Sequence, residues 1–110
     1  MKPEEFVVVL VTAGSPEEAV RIGRALVEER LAACANVVGP IRSIYRWQGE
    51  VEDAAEHLLL LKARAADVPA VDRRVRALHS YDVPEVLALP VAAAGTAYLA
   101  WLADATRRDG

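Results

Sequence analysis

The chain has 110 residues, the size of one ordinary domain and too short for two. Its apolar share of 54% excludes a disordered chain and is enough for one core. Thirteen basic against 16 acidic residues leave a net charge of −3, a poor electrostatic match for nucleic acid or an anionic membrane.

Residues 6–11 are apolar and mostly β-branched, which predicts a buried strand. Thr12-Ala13-Gly14 breaks it. Ser15-Pro16-Glu17-Glu18 is a helix start: Ser15 can cap, Pro16 suits the first turn, and Glu18 can close a capping box. Ala19, Ile22, Gly23 and Leu26 then form one stripe, predicting a helix to about Leu31. Residues 34–47 read as a second strand, broken or bulged at Gly39-Pro40. Residues 48–55 carry Gly49 and three acids beyond it and read as a turn. Residues 56–64 contain Leu58-Leu59-Leu60-Leu61 and read as a third strand. Asp67 is a cap for a second helix carrying Val68, Val71, Val75 and Leu78. Residues 79–85 form a loop, and residues 86–89 a fourth strand ended by Pro90. A last helix runs from about Thr96 to Arg107, with Tyr98, Trp101, Leu102 and Ala105 on one side.

The order is β-α-β-β-α-β followed by a helix. It predicts an α+β, ferredoxin-like sandwich over residues 1–110, a single domain. The two most apolar strands, the first and third, are expected in the centre and parallel, with the second and fourth at the edges. These strands do not alternate apolar with polar residues, as a strand with one wet face does. Val8 and Leu10 oppose Val7 and Val9; Leu58 and Leu60 oppose Leu59 and Leu61. Two crossover helices cover only one face of a sheet. The other face then exposes more apolar surface than a monomer usually carries. An obligate homo-oligomer joined through that face is the first expectation, and a monomer with the last helix folded beneath the sheet the second.

The longest strong apolar run, residues 6–11, is far below the ~20 residues a membrane helix needs. Acids at Glu4 and Glu5 stand where a secretory leader is cationic. Together with a lone cysteine, this predicts a cytoplasmic protein. Cys34, His57 and His79 are the main soft or borderline metal donors, and their spacing matches no compact metal motif. Cys34 reads as a small buried hydrophobe or a ligand. His79 reads as a cation at a helix end or a binding residue. Glu56 and Lys62 are six apart on one strand and share a face with Leu58 and Leu60. There they would line the rim of an interface, binding an anion or pairing with a neighbouring subunit. Lys62 is one of only two lysines, against eleven arginines. Tyr45, Arg46 and Trp47 cluster at a strand tip, suited to a contact or a cleft. Tyr81, Pro84 and Glu85 form a second such cluster.

No Gly-x-Ser-x-Gly, P-loop or Gly-x-Gly-x-x-Gly occurs, and no nucleophile or acid–base pair stands out, so an enzyme is not expected. RNA-recognition modules share this strand order but need aromatics on the central strands, where this chain has aliphatics.

Five segments nevertheless carry a family likeness. They are residues 26–36, Ile44-Tyr45-Arg46-Trp47-Gln48-Gly49-Glu50, residues 56–62, His79-Ser80-Tyr81-Asp82-Val83-Pro84-Glu85, and Tyr98-Leu99-Ala100-Trp101-Leu102. In this order they resemble the CutA divalent-cation tolerance proteins. The resemblance implies a cytoplasmic homotrimer of ferredoxin-like subunits, with sheets packed around a three-fold axis and long hairpins reaching across neighbours. It implies a role in tolerance of copper or other divalent cations. A likeness of that trimer to the PII signalling proteins implies sensing or regulation. By position, Cys34, Trp47, Glu56, Lys62, His79, Tyr81 and Glu85 match family motif positions and are expected around an intersubunit cleft. Copper or another divalent ion would bind through Cys34 or His79. Alternatively the cleft takes a small anionic metabolite through Lys62, or the trimer is a scaffold for another protein. Ser80 stands where the family often has proline, implying a looser loop, and His57 stands where leucine is common.

Overall fold

A computed structural model describes residues 1–108. After a 3₁₀ turn at Pro3–Glu5 come β1 (Phe6–Ala13), α1 (Pro16–Glu28), β2 (Cys34–Trp47) and β3 (Glu50–Arg64). A second 3₁₀ turn, Ala65–Asp67, leads into α2 (Val68–Leu78), followed by β4 (Leu87–Pro90) and α3 (Thr96–Ala105). The sheet order is β2-β3-β1-β4, the ferredoxin-like α+β arrangement.

The apolar strands β1 and β3 are central, but they are antiparallel, not parallel. Topology is the reason. The α1 crossover returns β2 in the direction of β1, and a tight hairpin then reverses β3. Because β3 inserts between β1 and β2, every neighbouring pair is antiparallel.

The segment 48–55 is mostly strand. Only Gln48 and Gly49 turn, with φ of 50° and 82°, the left-handed pair that matches hairpin twist. The ladder then runs unbroken from Glu50 opposite Trp47, and the acids stay in solvent because this arm is exposed on both faces. Arg42 grips Asp53 across it with bonds of 2.8 and 2.6 Å. The register slips once, between Val38 and Ile41, at the Gly39-Pro40 step.

Val7, Val9 and Val11 of β1 and Leu59, Leu61 and Ala63 of β3 meet Ala19, Ile22 and Leu26 of α1 and Val71 and Val75 of α2. That is the main core. Gly23 lets α1 lie close to the sheet: a Cβ there would stand 2.9 Å from that of Ala35. On the opposite face, Phe6, Ala33, Leu99 and Leu102 form a smaller cluster under α3. The buried stripe of α3 is therefore Leu99 and Leu102, with Thr106 just beyond it. Tyr98 and Trp101 stay exposed, their rings 5.5 Å apart. Arg64 decides this docking: it bonds the Ala103 carbonyl (2.7 Å) and Thr106 Oγ1 (2.9 Å), with its guanidinium over the Phe6 ring.

Helix ends differ from the sequence expectation for local reasons. The Glu18 amide donates to Ser15 Oγ (3.1 Å), but the Glu18 carboxylate takes the amide of Gly14, not that of Ser15. α1 stops at Glu28 because Arg30 turns left-handed (φ 60°) and the Leu31 amide closes onto the Leu26 carbonyl. Asp67 does not cap α2; its Oδ1 accepts from Arg108 at 2.7 Å.

α3 covers only one end of the second sheet face. Val8, Leu10, Leu58 and Leu60 are partly exposed there, Val38 is 44% exposed, and on β4 Leu87 and Leu89 are 56% and 50% exposed. The register aligns Leu89 with Val8, and Leu87 with Leu10 and Leu60, so these side chains form one continuous open face. Among the described residues no helix is long and apolar enough to cross a membrane.

Candidate functional site

The candidate residues fall into two groups at opposite ends of the open face. At one end the register sets Cys34 beside Lys62. The Lys62 ammonium donates to Asn36 Oδ1. Cys34 Sγ stands 3.8 Å from that same oxygen and 4.0 Å from the Tyr98 hydroxyl. Burial, and then the neighbouring thiol, push the Tyr98 phenol up. Asn36 was not singled out by sequence; its signal is the two-residue period that places it on the face of Cys34.

Glu56 lies six residues before Lys62 on β3, about 20 Å away along an extended strand. Here the hairpin meets the loop 79–85. The His79 side chain is fully buried and spends both ring nitrogens on backbone: Nε2 contacts the Thr12 carbonyl at 2.7 Å, and Nδ1 accepts from the Tyr81 amide at 3.0 Å. The tautomer that satisfies both carries its proton on Nε2. The Ser80 amide donates to Glu18 Oε2 at 2.8 Å. A proline has no such donor, so Ser80 tightens the loop where the resemblance implied loosening. Burial alone would push the Glu18 carboxyl up. Hydrogen bonds from Ser80 and Gly14, with the adjacent His79, outweigh it and hold Glu18 below its ordinary value. The loop is thus latched to the end of β1 and the start of α1.

The latch presents Tyr81 to β3. Its hydroxyl donates to Glu56 Oε2 at 2.8 Å, and Glu56 is only 6% exposed. Burial and the Glu56 carboxylate push the Tyr81 phenol up to about 12. Burial, then the charge of Glu56, raise the Glu85 carboxyl. Between hairpin and loop lies a cleft of about 620 Å³, walled by Tyr45, Trp47 and Tyr81 and carrying Glu56, Asp82 and Glu85. Sequence reasoning passed over Asp82, which lies inside the 79–85 motif, and Thr12 and Ser43, which also line the cleft.

Trp47, Glu56, Tyr81 and Glu85 therefore meet in one cleft, and His79 holds its wall from behind. Lys62 and Cys34 lie elsewhere. Within one protomer Cys34 and His79 do not face a common ion. Among the described residues no three His, Cys, Asp or Glu side chains form a group placed to hold a metal. His57 lies outside the cleft. Its ring occupies the space a Gly39 Cβ would need, 2.5 Å away, and its Nδ1 is buried without a hydrogen-bond partner.

Comparison with known proteins matches residues 7–105 to the family described as CutA1 divalent ion tolerance protein. The divalent-cation tolerance protein CutA of Thermus thermophilus is 54% identical over 99 residues, 90% of this chain and 96% of the relative. A solved structure of the Thermus protein superposes with a TM-score of 0.90 at 52% identity, covering 93% of this chain and 99% of that one. The rice protein CutA 1, chloroplastic, is 44% identical over 103 residues, 94% of this chain but 58% of the longer relative. The ferredoxin-like order, the motif positions gathered at the cleft and these matches agree: the chain belongs to the CutA1 divalent ion tolerance family.

Proposed function

We propose that this chain acts in the cytoplasm as a homotrimer in the response to divalent cations, by binding rather than by catalysis. One observation carries the assembly: an open sheet face bearing Val8, Leu10, Val38, Leu58, Leu60, Leu87 and Leu89, with α3 over only one end. Family membership supports the divalent-cation role, and the CutA resemblance supplies the number three. Copper is the favoured ion, because Cu²⁺ binds N, O and S donors most tightly among first-row divalent ions. Cys34 is the ligand proposed, since its thiol is half-buried on the face that assembly brings together. His79 serves by holding the loop, its nitrogens being engaged. A metabolite anion is less well supported: the cleft lining carries three carboxylates and no basic side chain, and Lys62 points to Asn36 instead.

Calorimetric titration of the assembled protein with Cu²⁺ tests the ligand. Saturable binding that falls at least tenfold in Cys34→Ala is the expected result. Binding of equal affinity in that variant removes Cys34 from the account.

A further inference from the structure

We infer that the cleft between the β2–β3 hairpin and the loop 79–85 is a binding site for a small organic cation, an ammonium or guanidinium group on an apolar stem. The inference stands on the geometry of one protomer and needs neither the trimer nor the metal.

Size comes first. A volume of about 620 Å³ lies in the range of small-molecule sites, roughly 300–1,000 Å³, and far exceeds a bare ion. Charge comes second. Glu56, Asp82 and Glu85 line the cleft, and no Lys, Arg or His does. The other buried or half-buried acids among the described residues have cations: Glu18 has Arg21, Asp67 has Arg108, and Asp72 has Arg76. Among the described residues Glu56 and Glu85 have none. Glu56 is nine-tenths buried and accepts from Tyr81 through Oε2 alone, so Oε1 is left for a donor arriving through the cleft. A carboxylate held this far from water is stable only with a partner. Burial, and then the charge of Glu56, raise the Glu85 carboxyl, and a cation bound between the two would offset that charge.

Aromatic walls supply the third argument. The chain has six aromatic side chains of the Phe, Trp and Tyr types, and three of them, Tyr45, Trp47 and Tyr81, stand on this cleft with 38–45% of their surface exposed. Their π-faces attract a cation and their bodies accept an apolar stem. A hard metal ion wants a shell of six or more oxygens and gains nothing from such walls. An anion meets three like charges.

The test is calorimetric titration of the full-length assembled protein with phenethylamine at pH 7.5, against phenylacetate as the matched anion and Mg²⁺ as the metal arm. The inference expects saturable binding of phenethylamine, none of phenylacetate over the same range, and no displacement by equimolar Mg²⁺. Glu85→Gln and Trp47→Ala should each weaken binding at least tenfold. Glu85 is half-buried, so its isosteric change keeps the test valid even if Glu56→Gln fails to fold. Lack of saturable phenethylamine binding overturns the inference, including the case where a neighbouring subunit's cation already fills the cleft. Equal binding of phenylacetate reduces the cleft to a greasy groove and overturns it. So does full affinity in Glu85→Gln, or displacement by Mg²⁺. Sedimentation of the same sample reads the assembly separately, so failure here is distinct from failure of the trimer.

Discussion

Tyr81 holds the site together with three groups. Its amide fixes the His79 tautomer, its ring lies 4.6 Å from the imidazole, and its hydroxyl holds Glu56. The last contact has a pH signature. The phenol is raised from 10 to about 12, so the fold favours the protonated ring. The resulting stability is complete below pH 10 and is lost as pH climbs from 10 through about 12. Tyr81→Phe should flatten this alkaline window in denaturation midpoints measured from pH 8 to 12. It should also cost about 1 kcal/mol at neutral pH, the net worth of one hydrogen bond. A wild-type midpoint with no alkaline fall contradicts the assignment. Glu18 has the opposite sense: its lowered carboxyl stabilises the latch above its ordinary value of 4.5 and loses that contribution as pH falls below it.

At the scale of elements, the closeness of α1 to the sheet depends on Gly23. An added Cβ meets both Ala35 Cβ at 2.9 Å and Leu59 Cδ2 at 3.2 Å. Neither atom lies at the end of a long flexible chain. Gly23→Ala should therefore destabilise by ~1–2 kcal/mol through overpacking, despite the better helix propensity of alanine. Urea denaturation checks this, and a gain in stability contradicts the close approach. The strands β1 and β3 were legible because apolar runs have few other uses. The β2 side of the outer hairpin arm was legible too, but residues 50–55 of β3 were not, because both faces of the arm are wet and the acids at 50, 52 and 53 carry the same local signal as a loop. The α3 stripe was read half right: Leu102 is buried and Ala105 packs beside it, but Leu99 and Thr106, not Tyr98 and Trp101, complete the buried side, because Arg64 and Phe6 dock there. Site residues showed the same limit. Trp47, Glu56, Tyr81 and Glu85 were named from motifs and do converge. That Cys34 and Lys62 sit at the far end of the sheet follows from the register, which no local pattern encodes.

At the scale of the whole molecule, the two sheet faces have different fates. One is closed by α1 and α2 into a core. The other carries aliphatic side chains of all four strands with α3 over one end only, an exposure typical of interfaces rather than of monomers. The hairpin arm projects past the body, making the chain 44 Å long but only 21 Å thick, a shape suited to reaching across a neighbour. Leu60 lies at the centre of the open face, opposite Leu10 on one side and Asn36 on the other. A charge there should prevent assembly while sparing the helix-side core. Sedimentation equilibrium at micromolar concentration is the most direct measurement. The unaltered chain should give a single species at three times the 11.9 kDa chain mass, and Leu60→Glu should shift it to lower mass. A stable, well-behaved species at 11.9 kDa for the unaltered chain would contradict it.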